Sequence, residues 1–304
     1  MQNILFSDAD SDYKKARYVI CGVPFDGTSS FRQGSRLAPQ EMRAASYTFE
    51  TYSRFFDIDL ADVHIHDAGD IEVAATIDET LELISVHAEK YVMDGKIPIM
   101  LGGEHSLTFP FVNACKKKYP DIGFVVLDAH MDMREEYREE RNSHACISRH
   151  IIEDVTQKYA SVGIRSGNRE EYEYVNENNI KVFSAEDVFS KGIESVIDDI
   201  LKEIRGPIYL SVDMDAIDPA YAPALGTPEP YGLTPRDVRE VISCLAPQIV
   251  GFDLVEIAPQ YDSGGTALLG AKLVRDFIAA SAHAAILLKA HTIYIVERSH
   301  HGSL

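Results

Sequence analysis

Short apolar runs recur along the chain, each followed by turn-forming residues: Tyr18–Val23, Ile97–Leu101, Gly123–Leu127, Ala160–Ile164, Ile208–Val212 and Ile249–Leu254. Runs that are apolar throughout, rather than alternating, predict strands covered on both faces, as in a parallel sheet. Between them, Asp78–Asp94, Ser184–Glu203 and Thr234–Cys244 carry apolar residues at helical spacing and predict amphipathic helices. The alternation predicts an α/β fold of three layers, α/β/α, with a mostly parallel central sheet. No repeat, low-complexity segment or long Pro/Gly/Ser linker interrupts the pattern, so one domain over residues 1–304 is expected. The stretch Asp218–Pro235 holds four prolines before Thr234 directly after a strand, which predicts an active-site loop.

Composition narrows the function. A 45% hydrophobic share supports a continuous core, and a net charge of −19 argues against nucleic acid or an anionic membrane surface as partner, since both would repel the chain. A small cationic or neutral molecule fits better. No apolar run approaches the roughly 20 residues that span a bilayer, and Met1–Asp12 lacks the basic and apolar regions of a signal peptide, so a cytoplasmic protein is expected. Cys21, Cys115, Cys146 and Cys244 form no CxxC pair, which points away from a disulfide framework or thiolate zinc site. Cys21, Cys115 and Cys244 are expected to be buried small hydrophobes.

The chemistry-bearing residues cluster after strands. Asp128, Ala129, His130, Met131, Asp132 follows the run ending at Leu127, and alternate residues of an extended segment share a face, so Asp128, His130 and Asp132 can converge. The run Ile208–Val212 leads into Asp213, Met214, Asp215, and Ile97–Leu101 leads into Gly102, Gly103, Glu104, His105. Functional groups of open α/β sheets gather at the carboxyl ends of strands. Four aspartates placed together repel one another unless cations neutralise them, and with two histidines they suffice for two ions when carboxylates bridge. Oxygen-rich ligation with some imidazole suits Mn2+, with other divalent ions left open. Taken singly, each motif has an ordinary reading: an aspartate after a strand as a cap or turn former, His105 as a core histidine, Glu104 as a surface residue.

The motifs GGEHS (Gly102–Ser106), DAHMD (Asp128–Asp132) and SVDMDAIDPAYAPALGTP (Ser211–Pro228) resemble the signatures of the arginase/agmatinase ureohydrolases. The resemblance also takes in Gly22–Arg43 and FDLVEIAPQYD at Phe252–Asp262, so it runs in order over most of the chain. It implies the arginase/deacetylase-like fold and two Mn2+ per subunit. One ion would be held by His105, Asp128, Asp132 and Asp213, the second by His130, Asp128, Asp213 and Asp215. Asp128 and Asp213 would bridge, with a water or hydroxide as nucleophile. Thr227 and Glu256 match the positions that bind the guanidinium, and His144 the proton-shuttling histidine. The chain departs from the commoner pattern after His144, where Ala145 and Cys146 stand in place of glycine and a small polar residue. A thiol there is expected to make the enzyme sensitive to alkylation or oxidation.

Agmatine is the first expected substrate, giving putrescine and urea, because the asparagine and hydroxyl residues with which arginases hold the substrate carboxylate have no counterpart in Met133–Arg141. That stretch carries three arginines as well as glutamates, so guanidinobutyrate and arginine stay as alternatives, as does a non-catalytic metal-binding regulatory homologue. A zinc deacetylase would use adjacent histidines, and the only such pair, His300 and His301, falls in the terminal tail. The resemblance further implies a homo-oligomer, trimer or hexamer.

Overall fold

Residues that are apolar throughout a run can only be satisfied between two layers, and that is where the six expected strands lie. The computed structural model describes the backbone of residues 4–301 and the side chains of residues 4–288; the side chains of His300 and His301 lie outside them. In chain order the strands are β1 (Tyr18–Gly22), β2 (Tyr52–Ser53), β3 (Ile58–Asp59), β4 (Ile65–Asp70), β5 (Ile97–Leu101), β6 (Gly123–Leu127), β7 (Tyr159–Ile164), β8 (Lys181–Ser184), β9 (Ile208–Asp213) and β10 (Ile249–Val255). The helices are α1 (Ala38–Ser46), α2 (Ile77–Met93), α3 (Thr108–Lys118), α4 (Ile147–His150), α5 (Arg169–Glu177), α6 (Ala185–Lys191), α7 (Ile193–Glu203), α8 (Pro235–Leu245) and α9 (Gly265–His301). None of the described helices is long and apolar enough to cross a membrane.

Eight strands form one sheet in the order β4-β1-β5-β10-β9-β6-β7-β8, with every neighbouring pair parallel, while β2 and β3 make a small antiparallel ribbon. Alternate residues of each strand feed opposite cores. Ile20, Ile99, Val125, Leu210 and Phe252 pack with α1, α7, α8 and α9, whereas Val19, Met100, Phe124, Tyr209 and Val255 pack with α2 and α3. The result is the three-layer α/β/α arrangement expected from the alternation of apolar runs and amphipathic stretches, in a single domain.

Four strands escaped the sequence reading: the two-residue β2 and β3 of the small ribbon, and β4 and β8, which are the two edges of the main sheet. An edge strand needs no continuous apolar run, and IHDAGD and KVFS have none. The expected helix Ser184–Glu203 is two helices: Ser184 caps α6 through Asp187, and Gly192 at φ +82° ends it before α7 begins. Helices α5 and α8 are likewise opened by reciprocal capping boxes, Asn168 with Glu171 and Thr234 with Asp237.

The glycines after β5 serve close approach. Gly103 N–H donates to the Val23 carbonyl and Glu104 N–H to that of Phe25, both at 3.0 Å, which docks the loop after β1 onto the end of β5. A Cβ on Gly103 would sit 1.8 Å from the Phe25 carbonyl oxygen. Gly103→Ala is therefore expected to destabilise the protein by about 1–3 kcal/mol through overpacking; an unchanged denaturant midpoint would show that this contact is dispensable.

Candidate metal centre

The sheet register brings four strand ends level at its middle. Leu101 of β5 pairs with Leu254 of β10, Val255 with Asp213 of β9, and Leu127 of β6 with Val212. The next residues along these four adjacent strands supply His105, Glu256, Asp215 and Asp128. The aspartates do not all sit in extended chain as the alternation suggested. Asp128–Asp132 lies beyond the end of β6, with Asp132 in the left-handed region at φ +50°, and Met214–Ala216 is a 3-10 turn.

Backbone N–H groups hold one oxygen of three aspartates and leave the other to side chains of the cluster. Asp128 Oδ1 accepts from His130 N–H at 2.6 Å, Asp213 Oδ1 from Asp215 N–H at 2.9 Å, and Asp215 Oδ1 from Ala129 N–H at 3.0 Å. The second oxygens turn inward. His105 Nδ1 lies 3.2 Å from Asp128 Oδ2, 3.2 Å from Asp213 Oδ2 and 3.5 Å from Asp132 Oδ2. On the other side, His130 Nδ1 lies 2.8 Å from Asp215 Oδ2 and 3.8 Å from Asp128 Oδ1.

The orientation of His105 is enforced from behind. Its Nε2 is 3.0 Å from Ser211 Oγ, which donates at 2.6 Å to Asp253, and Tyr209 donates to the other Asp253 oxygen at 2.8 Å. With Nε2–H donated to the serine, Nδ1 presents a lone pair to three carboxylates. Both His105 Nδ1 and Asp128 Oδ2 are buried without a hydrogen-bond partner. Imidazole and carboxylate lone pairs that converge this closely need a proton or a metal ion between them, and an imidazole braced through its other nitrogen is the arrangement of metal-ligating histidines. Among the described residues, His105 with Asp128 and Asp132, and Asp128 with His130 and Asp215, each bring their ligand atoms within 4.8 Å of one another.

The protonation balance reports the same conflict. Burial, then the charges of Asp132 and Asp215, push Asp128 up to about 7. Burial also drives Asp213 well above its ordinary value. For the histidines burial acts downward, but it is outweighed: Asp128, Asp132 and Asp213 raise His105 well above the ordinary range, and Asp215 raises His130 to about 11. Burial lowers His144. It raises Glu256, with the neighbouring Glu104 adding to it, and raises Glu104, where bonds from Ser106 and Thr28 pull the other way.

A cavity of about 300 Å3 opens onto the cluster. His130, Asp213, Asp215, His144, Thr227 and Glu256 line it, so the structure brings the expected residues together around one space. Thr227 Oγ1 donates to Asp215 Oδ2 at 3.3 Å. Glu256, at φ +67°, is tied by its N–H to the Gly103 carbonyl, and its Oε1 accepts from His105 N–H at 2.8 Å. Asp132 lines the cavity as well, and His105 reaches it only through the aspartates it touches.

Several supporting groups were missed. Ser211 and Asp253 lie within the recognised motifs but carry no pattern of their own. Arg165 donates to the carbonyls of Asp215, Glu229, Pro230, Gly163 and Ala216, fastening the proline-rich loop to β7, and nothing near it in sequence signals that. Glu104 is fully buried rather than a surface residue. One cysteine expectation is corrected, since Cys244 is exposed; Cys146 is buried, and burial pushes its thiol up to about 12.

The model of the Arginase family matches residues 16–280. An agmatinase of Halalkalibacterium halodurans is 36% identical over 90% of this chain and 95% of its own. An N(1)-aminopropylagmatine ureohydrolase of Thermococcus kodakarensis is 38% identical over 88% and 92%. The crystal structure of the agmatine ureohydrolase of Thermoplasma volcanium superposes with a TM-score of 0.88 at 42% identity, covering 93% of this chain and 96% of that one.

The raised groups give the cation-free protein a definite pH dependence. The contribution of His130 is full below the unfolded histidine value of about 6.5 and is lost as pH rises through about 11. That of Asp128 is full below about 3.9 and lost as pH rises through about 7. Both run the same way, so Tm measured in chelator is expected to fall from pH 5 to pH 9. A divalent ion takes the place of the protons, so its addition should raise Tm more at pH 9 than at pH 6. A flat profile in chelator would mean that the cluster is not under charge stress.

Proposed function

Because the chain belongs to the arginase family, we propose that it hydrolyses the guanidinium group of agmatine to putrescine and urea in a site that holds two Mn2+ ions per subunit. The observation that carries this reading is the convergence of two histidines and four aspartates, braced from behind, on a cavity that also contains Glu256 and His144. His105, Asp128, Asp132 and Asp213 would hold one ion, and His130, Asp128, Asp213 and Asp215 the other. This donor set is mainly oxygen with one imidazole per ion, which suits Mn2+. Bound there, the two ions would supply a nucleophile near neutral pH by lowering the pKa of a water between them.

The chain's own side chains do the rest. With Oε1 held on His105 N–H, Glu256 has Oε2 left to pair with the guanidinium N–H groups. A buried carboxylate driven upward by its surroundings gains most from a cation, and the guanidinium brings one into the cavity. Thr227 steadies Asp215 and borders the same space. His144, which burial favours in its neutral form, would accept the proton released by the attacking water and return it to the departing amine. A dicationic substrate is favoured by the net charge of −19 and by the activities of the similar agmatinases.

One observation favours a second reading, a guanidino acid. Arg134 lines the cavity, and among the described residues its guanidinium donates no hydrogen bond; it lies 3.9 Å from Glu171 and 4.9 Å from the Tyr137 ring. Those free donors would match a carboxylate tail. Assembly as a homo-oligomer, trimer or hexamer, belongs to the main reading and is open to light scattering. A cytoplasmic setting agrees with four cysteines that form no disulfide.

Purified protein loaded with Mn2+ is expected to release urea from agmatine, with turnover abolished by chelator. Preference for guanidinobutyrate or arginine would move the assignment to the second reading, and no urea from any guanidino compound with two ions bound would leave a regulatory homologue. Asp128→Ala should remove activity and lower the bound metal, because a bridging ligand is lost; retention of both would refute the dinuclear site. Glu256→Gln should keep its metal and lose roughly 100-fold or more in kcat/KM. Unchanged kinetics would show that the guanidinium is anchored elsewhere.

A further inference from the structure

The loop after β1 contributes no ligand to the cluster, yet it sets Thr28 against two groups at once. Thr28 Oγ1 lies 2.6 Å from Glu104 Oε1 and 3.1 Å from His144 Nδ1, and it receives the His144 backbone N–H at 3.1 Å. The Thr28 backbone N–H donates to the other Glu104 oxygen at 2.7 Å, and Ser106 Oγ donates to Oε1 at 2.6 Å. Glu104 is buried and ringed by these three donors, so it serves as the acceptor of the group.

A threonine hydroxyl has one proton and two lone pairs. Here the proton goes to Glu104, its shortest contact. Both lone pairs then accept from His144, one from the backbone N–H and one from the ring. The count closes only when the ring proton is on Nδ1. Ser143 Oγ, 3.4 Å from the same nitrogen, is a second and more distant acceptor, and the edge-on Tyr137 ring, at 6.0 Å between centroids, limits rotation of the imidazole. Nε2 is then the nitrogen left with a lone pair, in a residue that lines the cavity.

We propose that Glu104 and Thr28 are positioning residues that act through His144, the chain of hydrogen bonds holding the imidazole in its Nδ1–H tautomer with Nε2 turned to the reacting substrate. The proposal rests on the reading of His144 as the proton carrier. It gives a function to a loop whose motif carried the family resemblance without an assigned role. It also explains why a carboxylate is buried beside a site already rich in them: one hydroxyl away, it determines which imidazole nitrogen faces the chemistry.

The test pairs spectroscopy with kinetics. In full-length, cation-free protein labelled with 15N-histidine and assigned with His144→Asn, His144 should show a protonated Nδ1. In Thr28→Val it should become a tautomer mixture. Mn2+-loaded Thr28→Val should lose about 10-fold to 100-fold in kcat with KM changed less than about twofold, and Thr28→Ser should restore both tautomer and rate. Should Thr28→Val fail to fold, Glu104→Gln and the wild-type tautomer decide the matter. An Nε2–H tautomer in the wild type, or a loss of kcat in Thr28→Val with the tautomer unchanged, would overturn the proposal. A wild type that releases no urea would defeat the functional reading instead, and the tautomer would still report on the hydrogen-bond chain.

Discussion

Four aspartates withdrawn from water at the middle of one sheet edge, with two imidazoles among them, set the terms for everything around them. Like charges this close and this buried repel strongly and cannot be screened by solvent. The fold answers in layers. Backbone N–H groups pin one oxygen of Asp128, Asp213 and Asp215, so the repulsion cannot simply rotate the carboxylates apart. Ser211 and Asp253 fix the His105 ring, and Arg165 fastens the loop that carries Thr227. What remains is a focused negative centre whose natural complement is a cation.

How much of this was legible in the sequence depends on where each signal resides. Central strands announce themselves because both faces are buried, and the acidic and histidine motifs stand directly after three of them. Edge strands β4 and β8 gave no such signal, since one side of each is free of sheet neighbours. The supporting groups were hidden for a different reason: His105 meets Ser211 across 106 residues of chain, and Thr28 meets His144 across 116. Single serines and threonines have no periodicity, and only the closed fold gives them partners. The cysteines show the same limit, because burial at Cys146 and exposure at Cys244 are set by the layers above them, not by their neighbours in sequence.

Two of the eight non-glycine residues with positive φ among the described residues belong to this centre. Asp132 and Glu256 both occupy the left-handed region, which costs a non-glycine residue on the order of 1 kcal/mol. Each is held there by a contact that matters to the site: Glu256 by its bonds to Gly103 and His105, Asp132 by the Ser148 and Arg149 N–H groups that donate to its carbonyl. The conformations turn two acidic side chains into the cavity that extended backbone would have pointed elsewhere. Local preference has yielded to the geometry of the centre.

The order of strands in the sheet has a consequence for how such a centre comes into being. β5 and β6 are consecutive in the chain, yet β9 and β10 lie between them in the sheet. His105 and Asp128 precede Asp213, Asp215 and Glu256 by a long stretch of chain, and β5 and β6 are joined within the sheet only through β10 and β9. The acidic cluster is therefore a property of the closed sheet alone, since no contiguous stretch of the chain carries all of its members.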